Sequence, residues 1–161
     1  MRIGHGYDVH AFEAGDSIIL GGVRIPHDKA FRAHSDGDVL LHALTDALLG
    51  GAALRDIGYH FPDTDQQFLN ADSRVLLRRA YEKVQQLGCN CVSADMTVVA
   101  QRPKLVDWLP AMKANIAADL VMSADRINIK ATTSERLGFC GREEGIEAFA
   151  VVLLDETTSA N

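Results

Sequence analysis

Residues 38–51, DVLLHALTDALLGG, are apolar on nearly every side of a helix. Val39, Leu40, Leu41, Ala43, Leu44, Ala47, Leu48 and Leu49 leave one polar stripe, Asp38, His42 and Asp46, at i, i+4 and i+8. Such a helix is largely buried, because no broad face suits water. Asp38 reads as its N-cap and Gly50-Gly51 as its stop. His42 then needs a partner, since an unpaired buried polar group costs about 1–3 kcal/mol. Asp46, on the same stripe, is one candidate.

The start of the chain offers others. MRIGHGYDVHAF alternates with period two, as a strand does. Asp8 and His10 share a face with Gly4 and Gly6, while Ile3, His5, Tyr7 and Val9 take the opposite face, which reads as core-facing. The glycines leave room beside the carboxylate and the imidazole. With His42 they make a set of one carboxylate and two imidazoles, suited to Zn²⁺ with an open fourth position. Asp38 or Asp46 could orient His42 from behind.

Bulk properties narrow the classes. At 161 residues one domain spanning 1–161 is expected, burying roughly 70% of its unfolded surface. No run reaches the 18 or so consecutive apolar residues of a membrane span, and no targeting peptide is expected at the N-terminus. Cys89, Cys91 and Cys140 are odd in number and lack C-x-x-C spacing, which fits a reducing cytoplasmic setting. The net charge of −6 argues against a nucleic-acid partner. A small phosphorylated ligand stays open, because a metal or a helix N-terminus can supply local positive charge.

The remaining chain reads in order. SIILGGVRIP (17–26) is a hairpin around Gly21-Gly22, and 27–38 a loop. Residues 55–72 form a turn-rich connection of a length that is often functional. A helix over 72–88, capped by Asp72 and ended by Gly88, precedes a strand at 89–101. A third helix lies near 110–120, then a strand at 127–133, a Gly-rich turn and a closing strand, IEAFAVVLLDE. The order β-β-α-α-β-α-β gives an α+β fold: a single-domain, two-layer sandwich with a mixed sheet covered by helices on one face.

Further segments have phosphate character. His34 and Ser35 precede the buried helix, where free amides could meet an anion. KATTSE (130–135) ends a strand with hydroxyls and adds Glu135, a hard oxygen ligand suited to Mg²⁺. It reads equally as a turn capped by Thr133 or Ser134. AQRPKLV (100–106) places Pro103 and Lys104 after a strand.

GHGYDVH, IILGGVRIP, AHSDGDVLLHALTDALLG, DIGYHFPDTD and KATTSERLGFCGREEGI, in this order and spacing, resemble the 2-C-methyl-D-erythritol 2,4-cyclodiphosphate synthase family over nearly the whole chain. The resemblance implies an enzyme of non-mevalonate isoprenoid synthesis that cyclises 4-diphosphocytidyl-2-C-methyl-D-erythritol 2-phosphate and releases CMP. It implies Zn²⁺, or Mn²⁺, on Asp8, His10 and His42, with substrate phosphate at the open position beside Asp8 and His10. Glu135 would hold Mg²⁺ or Mn²⁺ across the substrate diphosphate. His34 and Thr133 would stabilise the transferring phosphoryl group, helped by Ser35, Thr132 and Ser134. Asp56, Ile57, Gly58, Phe61, Pro62, Asp63, Thr64 and Asp65 would hold the methylerythritol. Ala100, Gln101, Arg102, Pro103, Lys104, Leu105 and Val106 would form the cytidine pocket. The family's homotrimer has active sites between subunits and an axial cavity where Phe139 and Arg142 can hold an isoprenoid diphosphate. Tyr7 stands where Phe is common, Cys140 where Thr or Ser is frequent, and His60 at a variable position.

The implied chemistry suits the residues. The substrate's own 2-phosphate is the nucleophile, so no Ser-His-Asp or Cys-His motif is needed. Two other classes share parts of the pattern: a zinc phosphoesterase that would release inorganic phosphate, and a nucleotide- or isoprenoid-diphosphate-binding oligomer with a closed, four-ligand structural zinc.

Overall fold

The computed structural model of the chain describes residues 1–62, 64–66 and 71–156. Its elements begin with β1 (Arg2–Ala14), β2 (Ser17–Leu20), β3 (Val23–Pro26), β4 (Lys29–Phe31), α1 (Val39–Gly51) and α2 (Ile57–His60). They continue with α3 (Ser73–Gln86), β5 (Cys89–Val99), α4 (Leu109–Asp119), a 3-10 turn at Ala124–Arg126, β6 (Ile127–Thr132), α5 (Gly138–Gly141) and β7 (Gly145–Glu156). Five strands form one sheet in the order β4-β1-β7-β5-β6, and β2 and β3 form a separate hairpin. Only the β5–β6 pair is parallel within that sheet. The expected α+β sandwich with a mixed sheet is what the chain forms.

One face of the sheet is sealed by helices. β7 sends Ile146, Ala148, Ala150, Val152 and Leu154 into the core, and β5 sends Cys89, Cys91, Ala94, Met96 and Val98. A register irregularity between Cys91 and Ser93 keeps Cys91 and Ala94 both inward. The three cysteines are buried free thiols. α1 packs on β1 and β7, α3 on α1 and β5, and α4 on β6. Among the described residues, no helix is long and apolar enough to cross a membrane.

β1 is turned opposite to expectation. Ile3, Tyr7 and Val9 are exposed, Ile3 at 74%, and His5 is exposed beside them, whereas Gly4 and Gly6 are buried. The reason is the nearness of α1. A Cβ at Gly4 would overlap the Ala47 carbonyl, and one at Gly6 the Ala43 carbonyl. Only the face without side chains admits the helix, so β1 shows water its apolar face.

Other segments hold more structure than their composition signals. Residues 27–38 contain β4, which pairs with β1 through Phe12 opposite Phe31, their rings stacked with centroids 5.5 Å apart. α2 interrupts the 55–72 connection, and α5 sits inside the Gly-rich turn. α1 starts at its Asp38 cap as expected, but runs through Gly50 and Gly51 to a C-cap at Ala52.

Candidate functional site

The close approach that sets the orientation of β1 also builds the site. Gly4 and Gly6 bring α1 onto β1, so the next two residues of that face, Asp8 and His10, rise beside the first turn of α1, where His42 stands. His42 Nδ1 lies 3.0 Å from Asp8 Oδ2 and 3.0 Å from His10 Nε2. His10 Nε2 lies 3.1 Å from Asp8 Oδ2. Burial alone would raise the Asp8 carboxyl, but the hydrogen bonds and charges of His10 and His42 hold it well below the usual range. Burial pulls His42 down, and the hydrogen bond and charge of Asp8 outweigh it, leaving that imidazole raised.

These three atoms fit a metal ion. Bonds of 2.0–2.1 Å in a tetrahedron place ligand atoms about 3.3 Å apart, close to the spacing seen here. Asp8, His10 and His42 are the one group of three or more metal-ligating side chains that converges among the described residues. Three protein ligands leave one position for a substrate oxygen.

The partner behind His42 is neither of the two expected. Asp38 accepts from Gly21 N (3.0 Å), Gly22 N (2.7 Å) and Leu41 N (3.0 Å). Asp46 accepts from Ile57 N at 2.7 Å, which also removes the reading of His42 as paired with Asp46. His42 Nε2 instead meets Ser73 Oγ at 2.8 Å and Ser35 Oγ at 3.3 Å. Ser73 Oγ in turn donates to Asp36. Sequence reasoning missed Ser73 and Asp36 as site residues, since nothing in their spacing links the start of α3 to the first turn of α1.

A cavity of about 350 Å³ opens on the triad, lined by Asp8, His10, His34, Ser35, His42, Ile57, Gly58 and Phe61, with Ala33 and Leu76. Asp56 caps α2 by accepting from Tyr59 N, and Asp46 fastens Ile57, so both carboxylates hold Ile57 and Gly58 at the cavity wall. Pro62, Thr64 and Asp65 do not line it, and Asp63 lies outside the described residues.

The other candidates gather elsewhere. A second cavity, of about 410 Å³, is lined by Ala100, Gln101, Pro103, Lys104, Leu105, Val106, Leu109, Ala131, Thr132 and Thr133. Among the described residues it shares no lining residue with the first. Arg102 turns away, 3.6 Å from Glu143 and 3.8 Å from Asp28. Thr133 Oγ1 donates to Glu135 Oε1 at 3.1 Å and accepts from Glu135 N at 3.3 Å. Ser134 Oγ donates to Leu137 O, so local turn bonds do form here. Glu135 does not join the metal triad within this chain. Arg142 is held by Glu144 at 2.8 Å, while Phe139 is half-buried at the base of the same turn.

Fold and site together define an α+β protein with a candidate three-ligand metal site between β1 and α1. The chain belongs to the YgbB family, whose model matches residues 1–155. It is 64% identical over 155 residues to the 2-C-methyl-D-erythritol 2,4-cyclodiphosphate synthase of Cellvibrio japonicus (strain Ueda107), covering 96% of this chain and 98% of that one. Among solved structures it resembles the bifunctional IspDF from Campylobacter jejuni, with a TM-score of 0.93 and 49% identity over 97% of this chain. The chain spans 42% of that bifunctional protein's length. It also resembles a CDP-bound 2C-methyl-D-erythritol-2,4-cyclodiphosphate synthase, with a TM-score of 0.88, 40% identity, and coverage of 96% of this chain and all of that one.

Proposed function

We propose that this chain converts 4-diphosphocytidyl-2-C-methyl-D-erythritol 2-phosphate to 2-C-methyl-D-erythritol 2,4-cyclodiphosphate and CMP, a lyase reaction of isoprenoid biosynthesis. The observation that carries this reading is the convergence of Asp8, His10 and His42 on a cavity of about 350 Å³ beside His34 and Ser35. An oxygen of the 2-phosphate forms a bond to the β-phosphorus of the same molecule. The bond from that phosphorus to the α–β bridging oxygen breaks, and CMP leaves with the bridging oxygen.

No protein nucleophile takes part, so the chain's contribution is positioning and charge. Ile57 and Gly58, fixed by Asp46 and Asp56, hold the methylerythritol together with Phe61. Holding the 2-phosphate in line with its target can be worth about 7–11 kcal/mol. His34 and Ser35 contact the transferring phosphoryl group from one side, and Thr132, Thr133 and Ser134 from the other. Zn²⁺ on the triad, with Mn²⁺ the alternative, and Mg²⁺ or Mn²⁺ on Glu135 would supply the positive charge that an acidic chain otherwise lacks.

The separation of the two cavities supports a homotrimer in which the triad of one subunit faces the 100–106 and 131–135 segments of the next. The exposed apolar residues Ile3, Tyr7, Val9 and Val151 support burial of that sheet face between subunits. Arg142 would exchange Glu144 for the diphosphate of an isoprenoid in an axial cavity. Residues 1–161 would act as one synthase domain in the cytoplasm, with no nucleic-acid or membrane partner.

A phosphorus NMR time course with the diphosphocytidyl substrate, Zn²⁺ and Mg²⁺ tests the reading. Cyclic diphosphate should appear in step with CMP. Inorganic phosphate would make the chain a phosphoesterase, and an unchanged spectrum with bound substrate would make it a binding module.

A further inference from the structure

Ser73 has one hydroxyl proton, and its surroundings decide where that proton goes. The hydroxyl donates to Asp36 Oδ1, while Ser73 N donates to Oδ2 of the same carboxylate at 3.0 Å. Asp36 Oδ1 also accepts from Asp38 N at 3.1 Å. Both oxygens of Asp36 act as acceptors, so the hydroxyl proton is committed to Asp36. What Ser73 presents to His42 Nε2, 2.8 Å away, is an oxygen lone pair. Two lone pairs cannot share that contact, so His42 carries a hydrogen on Nε2. The neutral ring then has its own lone pair on Nδ1, the atom that faces Asp8 and His10.

We infer that Ser73 and Asp36 are positioning residues for the metal centre, holding His42 in the Nε2–H tautomer so that Nδ1 is the electron-pair donor. The inference rests on the reading of Asp8, His10 and His42 as a metal site. Its physical content is a competition. The negative charge of Asp8, 3.0 Å from Nδ1, favours the opposite tautomer, in which Nδ1–H is donated to Asp8 and the ligand atom is blocked. An acceptor fixed at Nε2 opposes that. Ser73 is 1% exposed, so bulk water does not replace it. Ser35 is a poor substitute, because its oxygen stands 3.3 Å away and already accepts from Gly37 N.

The arrangement also ties separate parts of the chain together. Asp36 precedes α1 and Ser73 is the first residue of α3, so the orientation of a ligand on α1 is set by the end of another helix. A residue behind a metal-bound histidine commonly changes metal affinity about 10–100-fold.

The test uses Zn²⁺ alone. Its dissociation constant is measured by chelator competition for the wild type and for Ser73→Ala, and the His42 ring nitrogens are assigned by nitrogen-15 NMR. The wild type should bind Zn²⁺ through Nδ1 with Nε2 protonated. Ser73→Ala should bind about 10–100-fold more weakly, and its metal-free neutral ring should populate the Nδ1–H form. Equal affinity with an unchanged tautomer would overturn the inference while leaving the metal site standing. A wild type that binds no Zn²⁺ would overturn the metal reading itself and this inference with it. Should Ser73→Ala not fold, the wild-type spectrum decides alone: zinc on Nε2 refutes the assignment and zinc on Nδ1 upholds it.

Discussion

Asp38 joins three backbone segments through one carboxylate. It caps α1 at Leu41 N and receives the amides of Gly21 and Gly22 from the β2–β3 turn. Burial pushes its carboxyl up to about 6, against the pull of the hydrogen bonds from Gly22, Leu41 and Gly21. An Asp in the unfolded chain titrates near 3.9. Between pH of about 4 and about 6 the folded state therefore binds more protons, and its stability falls as pH rises. The contribution is fully present below about pH 4 and is lost through about pH 6, on the order of 2–3 kcal/mol. Urea midpoints of metal-free protein at stepped pH should show this decline in the wild type and a flatter course in Asp38→Asn. Parallel curves would remove Asp38 as the source. Only half of this role was legible beforehand. An Asp before an apolar helix announces a cap, but the contact with Gly21 and Gly22 depends on where the hairpin lands. The grouping of His42 with Asp8 and His10 was likewise legible, while the Ser73 hydroxyl 2.8 Å from His42 Nε2 was not.

β1 and α1 form the element pair on which the candidate metal site depends. Their backbones are so close that Gly4 and Gly6 have no room for a methyl group. Gly6→Ala should force the helix outward, destabilising the fold by about 1–3 kcal/mol and drawing His42 away from Asp8 and His10. Denaturant midpoints and Zn²⁺ affinity should fall together. Loss of stability with unchanged affinity would show that the triad tolerates the displacement. The alternation of β1 was legible, but its facing was not. Apolar content alone sent Ile3, Tyr7 and Val9 inward, and the decisive term was instead the steric demand of a backbone-to-backbone approach. β4 was hidden for a different reason, being a three-residue edge strand whose pairing comes from its neighbour. α3 and α4 are joined by Asp119, a buried carboxylate that receives Arg74 through Nε at 2.7 Å and Nη2 at 3.0 Å, and Arg78 at 2.7 Å. Asp119→Ala should cost about 2–3 kcal/mol, read as a lowered thermal midpoint with the metal affinity unmoved.

At the level of the molecule, the proposed site lies in two pieces. The structure separates them: the triad, His34 and Ser35 line one cavity, while the 100–106 segment, Thr132 and Thr133 line another. If each active site joins the first cavity of one subunit to the second cavity of its neighbour, two differently damaged chains can repair each other. His42→Ala would spoil only the metal half, and Thr133→Ala combined with Glu135→Ala only the other half. Each variant alone should be close to inactive. Subunits unfolded together in equal amounts and refolded should assemble at random around a cyclic trimer. A site is then intact when its metal half and its opposite half both come from the undamaged source, which occurs for about one site in four. Cyclic diphosphate formation should therefore return to about a quarter of the wild-type rate per site. Sites contained within single chains would recover nothing, because every chain in the mixture carries one damaged half.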